Sequence, residues 1–136
     1  MSLVESREAP TMNRTRRILC LEDDPDTCEM LSVAFRLAGY SLIPARLPSD
    51  IIPLVRTVQF DCIILDVRLP GQSGLDLCRE IRAFDQQIPI IFYTGAASEA
   101  DKKAGLEAGA QVYLVKPVEI EVLIETVKIL TSQRTM

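Results

Sequence analysis

The sequence predicts one α/β domain, a doubly wound parallel sheet of five strands with five helices. Three observations carry this. Short apolar runs alternate with helix-patterned segments five times along the chain. Two of those runs, Cys62-Ile63-Ile64-Leu65 and Ile88-Pro89-Ile90-Ile91-Phe92, are apolar on both alternating faces, as strands covered by helices on both sides must be. The chain has 136 residues, enough for one core and too few for two. Right-handed crossovers then put helices on both faces of the sheet.

Each element follows in order. The first strand is Arg17–Leu21. The helix after it can be capped by Asp24, with Pro25 at the first helical position and Gly39 just past the end. Its core face carries Leu31, Ala34, Phe35 and Ala38. The second strand is Tyr40–Pro44. The segment Leu47 to Phe60 contains Pro48 and Pro53, so a short or irregular second helix is expected. Pro53 is tolerable only in a first turn, where its missing N–H has no partner to lose. The third strand is Asp61–Asp66. The third helix starts at Ser73-Gly74-Leu75-Asp76, resembling a capping box, and is expected to bury Leu77, Ile81 and Phe84. The fourth strand is Pro89–Thr94.

The fourth helix starts at Ser98, with Asp101 three residues on, and stops at Gly109. It offers Ala100, Ala104 and Ala108 to the core. Leu106 is its one large apolar residue, and Gly105 weakens its interior by about 1 kcal/mol relative to alanine. Such a helix is expected among the less stable elements. The fifth strand is Gln111–Val115. The fifth helix runs from Val118 to Leu130 with Leu123, Val127 and Leu130 inward. It has a second apolar stripe of Val118, Val122 and Ile129.

Hydrophobic residues make up 48% and charged residues 25%, ordinary for a globular protein. No apolar run is long enough to span a bilayer. The opening residues lack the apolar segment of a secretory signal, and 1–14 read as a loose tail before a domain at 15–132, with a short tail at 133–136. A net charge of −4 and a pI near 4.9 argue against direct nucleic-acid binding by this chain. Its basic cluster, Arg14, Arg16 and Arg17, reads as a solvated lead-in to the first strand rather than a DNA-binding arm. Cys20, Cys28, Cys62 and Cys78 form no C-x-x-C pair, and the chain has no histidine to complete a zinc site. They read as reduced thiols of a cytoplasmic protein. The lack of histidine also removes histidine-based triads.

The chemistry lies where the polar residues fall. The first strand ends in Glu22-Asp23-Asp24, the third in Asp66, the fourth in Thr94 and the fifth in Lys116-Pro117. In a doubly wound sheet these carboxyl ends converge. Carboxylates packed together repel, and a hard divalent cation with oxygen ligands offsets the repulsion. One carboxylate can then act as a nucleophile and form an acyl phosphate. A lysine and a hydroxyl can neutralise and position the transferred group. Taken singly, each element has a plainer reading: an acidic run before proline is often only a helix cap, and Lys-Pro a common turn. Their occurrence in order at four strand ends favours the functional one.

Four segments resemble the signature segments of response-regulator receiver domains. They are Leu19-Cys20-Leu21-Glu22-Asp23-Asp24-Pro25, Leu65-Asp66-Val67-Arg68-Leu69-Pro70-Gly71, Tyr93-Thr94-Gly95-Ala96 and Tyr113-Leu114-Val115-Lys116-Pro117. The resemblance covers about residues 16–131. It implies a flavodoxin-like fold of strand order 2-1-3-4-5, and Asp66 as phosphoacceptor with Thr94 and Lys116 beside it. It implies Mg²⁺ (or Mn²⁺) bound by Asp23, Asp66 and the Arg68 backbone carbonyl, with Glu22 acting through water. Thr94 and Tyr113 match the switch pair, the ring moving inward when Thr94 engages the phosphoryl group. The implied partner is a sensor histidine kinase or a phosphotransfer protein. Separately, a helix apolar on two sides usually buries both, so the second stripe of helix five points to a partner or homodimer surface formed by helix four, strand five and helix five. No membrane association is implied. Arg68 is larger and more charged than many residues at its position, which leaves the lifetime of the mark open.

Other classes fit less well. A haloacid-dehalogenase-like phosphatase needs a second aspartate two residues after the nucleophile, where this chain has Arg68. A pseudo-receiver used only for binding lacks the aspartate or the lysine, and both are present. A flavin site needs a phosphate-cradling loop after the first strand, where three acids would repel the phosphate. The output stays open between a single-domain regulator and a receiver whose gene continues.

Overall fold

A computed structural model describes residues 15–134. The tail expected at 1–14, and Arg14 with it, lies outside them. Five parallel strands form the sheet: β1 (Arg16–Leu21), β2 (Tyr40–Ala45), β3 (Cys62–Leu65), β4 (Ile90–Thr94) and β5 (Val112–Val115). Their spatial order is β2-β1-β3-β4-β5. Each strand is followed by a helix: α1 (Pro25–Leu37), α2 (Ile51–Thr57), α3 (Gly74–Phe84), α4 (Glu99–Ala108) and α5 (Ile120–Arg134). The last helix therefore crosses the boundary expected at 132.

Alternation along the strands divides the core in two. Leu19, Leu21, Ile63, Leu65 and Phe92 face α2, α3 and α4, packing on Ile51, Leu77, Ile81 and Ala108. Ile18, Cys20, Cys62, Ile64, Ile91 and Tyr93 face α1 and α5, packing on Leu31, Phe35, Leu123 and Val127. The central strands β3 and β4 are buried along their whole length, and the edge strand β5 only partly. This is the pattern of a parallel sheet covered on both faces.

Local signals set the helix ends. Asp24 caps α1 by accepting from the Thr27 backbone N–H at 3.1 Å, and Gly39 takes the left-handed φ of +96° just past its end. Pro53 sits in the first turn of α2, which is short and preceded by a 3₁₀ turn at Pro48–Asp50, as the two prolines require. Ser73 caps α3 through the Leu75 N–H, while Asp76 pairs with Arg79. Ser98 and Asp101 form a reciprocal capping box on α4.

Three expectations need correction. Phe84 is 36% exposed rather than buried. It ends α3 at the rim, where the Arg56 guanidinium lies 4.2 Å above its ring. Ala100 is exposed in the first turn of α4. The second strand continues one residue past Pro44 to Ala45, and β2 is an edge strand, where a proline's missing N–H can be spared. Of the second stripe on α5, Val118 packs partly on the core, while Val122 and Ile129 stay exposed. Leu130 is half-buried. Arg16 donates to the Thr131 carbonyl and Arg17 to that of Gln59, so both tie down the start of β1.

Candidate functional site

Glu22 and Asp23 directly follow β1, Asp66 follows β3, Thr94 ends β4 and Lys116 follows β5. The register makes these positions converge. Leu21 pairs with Leu65, so the residues just after them emerge side by side. Thr94 pairs with Val115, which puts Lys116 next to it.

One carboxylate oxygen each from Glu22, Asp23 and Asp66 lies within 4.8 Å of the others. Glu22 and Asp66 are nearly buried, at 7% and 8% exposure, while Asp23 is open to solvent. Lys116 Nζ lies 2.7 Å from Glu22 Oε1 and 3.4 Å from Asp66 Oδ2. The second contact is longer than a good hydrogen bond and acts mainly through charge. Burial pulls the Lys116 ammonium down, but its hydrogen bond to Glu22 and the charges of Glu22 and Asp66 outweigh burial. Together they hold it above the ordinary lysine value.

Asp66 Oδ1 accepts from the Thr94 hydroxyl at 2.6 Å and from the Arg68 N–H at 3.1 Å. The fully buried Thr94 oxygen in turn accepts from the Ala96 N–H at 3.2 Å. Tyr113 Oη donates to the Ala96 carbonyl at 2.7 Å, and its ring packs on Phe92 with centroids 5.8 Å apart. Burial pushes the Tyr113 hydroxyl above its usual range, so it stays a donor. A continuous chain of contacts thus runs from Asp66 through Thr94 and Ala96 to Tyr113.

Three carboxylates face one ammonium, so the cluster is short of positive charge. Its donors are all hard oxygens. Both Glu22 oxygens are engaged, one by Lys116 and the other by the Asp24 N–H at 3.2 Å. Asp23 is open to solvent, and Asp66 Oδ2 is held only by the long 3.4 Å contact to Lys116, so these are the oxygens best placed for direct contact with a cation. This donor set fits a hard divalent ion. Asp24 stands apart from the cluster. Its hydrogen bonds from Thr27 hold its carboxyl below the ordinary aspartate value, and its role is the helix cap.

Sequence reasoning missed two residues at the site. Gly74 lies against the Asp66 backbone, where a Cβ would stand 2.0 Å from the Asp66 carbonyl oxygen. In the sequence it is only part of a helix start, and nothing local announces that contact. The Tyr93 ring lies under Lys116, with Nζ 5.1 Å from its centroid. An aromatic residue beside Thr94 was its one available signal. The side chain of Arg68 is exposed at the rim.

Among known proteins, the family model described as the response regulator receiver domain matches residues 18–128. The transcriptional regulatory protein BaeR of Escherichia coli O6:H1 is 40% identical over 121 residues, which are 89% of this chain and 50% of that protein. The DNA-binding response regulator MtrA of Mycolicibacterium smegmatis is 36% identical over 113 residues, 83% of this chain and 49% of that one. The chain thus spans about half the length of these curated relatives. The receiver domain of the Francisella response regulator 1452 superposes with a TM-score of 0.83 at 27% identity, covering 88% of this chain and 99% of that one.

Proposed function

The chain belongs to the response regulator receiver domain family, and on that premise we propose that it is a switch set by phosphorylation of Asp66 in a reaction that needs a divalent cation. A receiver is a signalling module rather than a catalytic enzyme. The observation that carries the reading is the buried Asp66 carboxylate, held between the Lys116 ammonium and the Thr94 hydroxyl in the acidic cluster.

Asp23, Asp66 and the Arg68 backbone carbonyl are the protein groups proposed to hold Mg²⁺, or Mn²⁺ in its place, with Glu22 acting through water. Bound there, the cation supplies charge neutralisation to the phosphoryl oxygens. An Asp66 carboxylate oxygen attacks the phosphorus of the donor. A new O–P bond forms as the bond from phosphorus to the donor's nitrogen or oxygen breaks, with the bonding pair leaving on the donor. Lys116, kept charged by its partners, neutralises the incoming oxygens. Thr94 turns its hydroxyl from Asp66 Oδ1 to a phosphoryl oxygen, drawing the Ala96 loop with it, and Tyr113 follows through its bond to the Ala96 carbonyl.

The proposed donor is a sensor histidine kinase or a phosphotransfer protein, a histidine kinase being the partner the family implies. The face of α4, β5 and α5 is the proposed output and homodimer surface. It exposes Leu106, Val122 and Ile129. BaeR is described as a transcriptional regulatory protein and MtrA as DNA-binding. For this acidic chain the proposal is that any such activity resides outside it. No helix among the described residues is long and apolar enough to cross a membrane.

Phosphoryl uptake from acetyl phosphate tests the reading. Intact mass should show one adduct with Mg²⁺ or Mn²⁺ and none after chelation, and Asp66→Asn should abolish it. A stable single adduct on Asp66→Asn would place the phosphoryl group elsewhere.

A further inference from the structure

Gly105 lies buried inside α4. Glycine is among the poorest helix formers, and this one has no conformational excuse. The positive-φ glycines of the described residues are Gly39, Gly71 and Gly109, so Gly105 adopts a backbone open to any residue. What it uses is the absence of a side chain. An ideal Cβ here would stand 2.6 Å from Tyr113 Cδ2, 2.7 Å from Tyr113 Cε2 and 3.2 Å from Phe92 Cδ2. Carbon atoms pack best at about 3.5–4.0 Å, so a methyl group and the ring cannot both be there.

The ring is also the movable partner. Tyr113 lies on the edge strand β5 and is only half-buried. It can swing toward solvent by a change of side-chain rotamer, whereas the helix backbone is tied to the sheet through Ala108. We propose that Gly105 is the seat of the Tyr113 ring, and that the residue at 105 decides whether the ring can lie inward with its hydroxyl on the Ala96 carbonyl. The functional consequence, a change in the response to phosphorylation, rests on the reading of Tyr113 as part of the switch.

The Ala97 amide reports the contact, because its peptide carries the Ala96 carbonyl. In the unaltered protein, Tyr113→Phe should shift the Ala97 amide resonance by removing the hydrogen bond. In a Gly105→Ala background the same change should leave it in place, because the ring is already displaced. An equal shift in both backgrounds overturns the inference. A second measurement guards against a poorly folded variant. With the ring removed by Tyr113→Ala, adding Gly105→Ala should cost about 4 °C less in Tm than it does in the unaltered protein, because only the Phe92 ring then stands close to the new methyl group. An equal loss of Tm in both backgrounds would mean that something other than Tyr113 needs the glycine, and would overturn it as well.

Beryllofluoride with Mg²⁺ separates this inference from the switch reading. If both stand, Gly105→Ala should weaken beryllofluoride binding about tenfold, within the usual range of coupling between sites. A displaced ring with unchanged beryllofluoride affinity upholds the seat and removes Tyr113 from the switch.

Discussion

Gly74 shows how a single missing methyl group can hold an acceptor in place. Its N–H donates to the Val67 carbonyl at 2.8 Å, and a Cβ would meet the Asp66 carbonyl oxygen at 2.0 Å and Val67 Cα at 3.0 Å. These are backbone atoms, so nothing can rotate aside. Gly74→Ala must push the start of α3 away from the loop that carries Asp66. It should destabilise the fold by about 2 kcal/mol, as overpacked sites do, and slow phosphoryl uptake at Asp66. Urea unfolding with acetyl-phosphate labelling checks both, and an unchanged midpoint would mean that the loop yields without cost. At Glu22 the same scale explains a division of labour. One of its oxygens anchors Lys116 and the other takes the Asp24 N–H, so it orients the lysine while its neighbour Asp23 faces solvent.

At the scale of elements, α4 is the least securely packed long helix on its side of the sheet. It buries Gly105 and Ala108 and exposes Leu106, whereas α3 buries Leu77, Cys78 and Ile81. Small side chains bring little apolar area out of water, so α4 gains less from burial. Its N-terminus, however, is firmly defined by the Ser98–Asp101 capping box. Hydrogen exchange should therefore find α4 less protected than α3, with opening in its later turns. Adding beryllofluoride with Mg²⁺ should alter protection across residues 98–130, because the Thr94–Ala96–Tyr113 contacts join the acceptor to this region. With the mimic demonstrably bound, identical exchange over that stretch would sink the proposed output face.

The whole molecule is two apolar layers sharing one sheet, and the cysteines sample both. Cys20 and Cys62 lie in the layer under α1 and α5, Cys78 in the layer under α2, α3 and α4, and Cys28 is half-buried on α1. No disulfide joins any of them. Burial pushes the Cys20 thiol far above its usual range, and raises Cys28 and Cys78 less. The thiolate is the reactive form, so a disulfide-exchange reagent should modify Cys28 first. The other three should react only as fast as the fold opens, and denaturant should reveal four thiols. Rapid reaction of all four in the native protein would mean that the layers are far looser than their packing.

The sequence alone determined the element order, the two-sided burial of the central strands and the convergence of Glu22, Asp23, Asp66, Thr94 and Lys116 on one edge. Those features are local or follow from connectivity. Periods of 2 and 3.6 residues mark strands and helices, and parallel strands joined by crossovers must end on the same side. Tertiary structure decided the finer assignments. It turned Glu22 onto Lys116 and left Phe84 at the rim beneath Arg56. It also set Gly74 against Asp66 and Gly105 against Tyr113. Each of these depends on the angle and distance between segments whose separation along the chain carries no periodic trace. A glycine that looks like a flaw in its own helix is explained only by the ring of another element lying where its side chain would be.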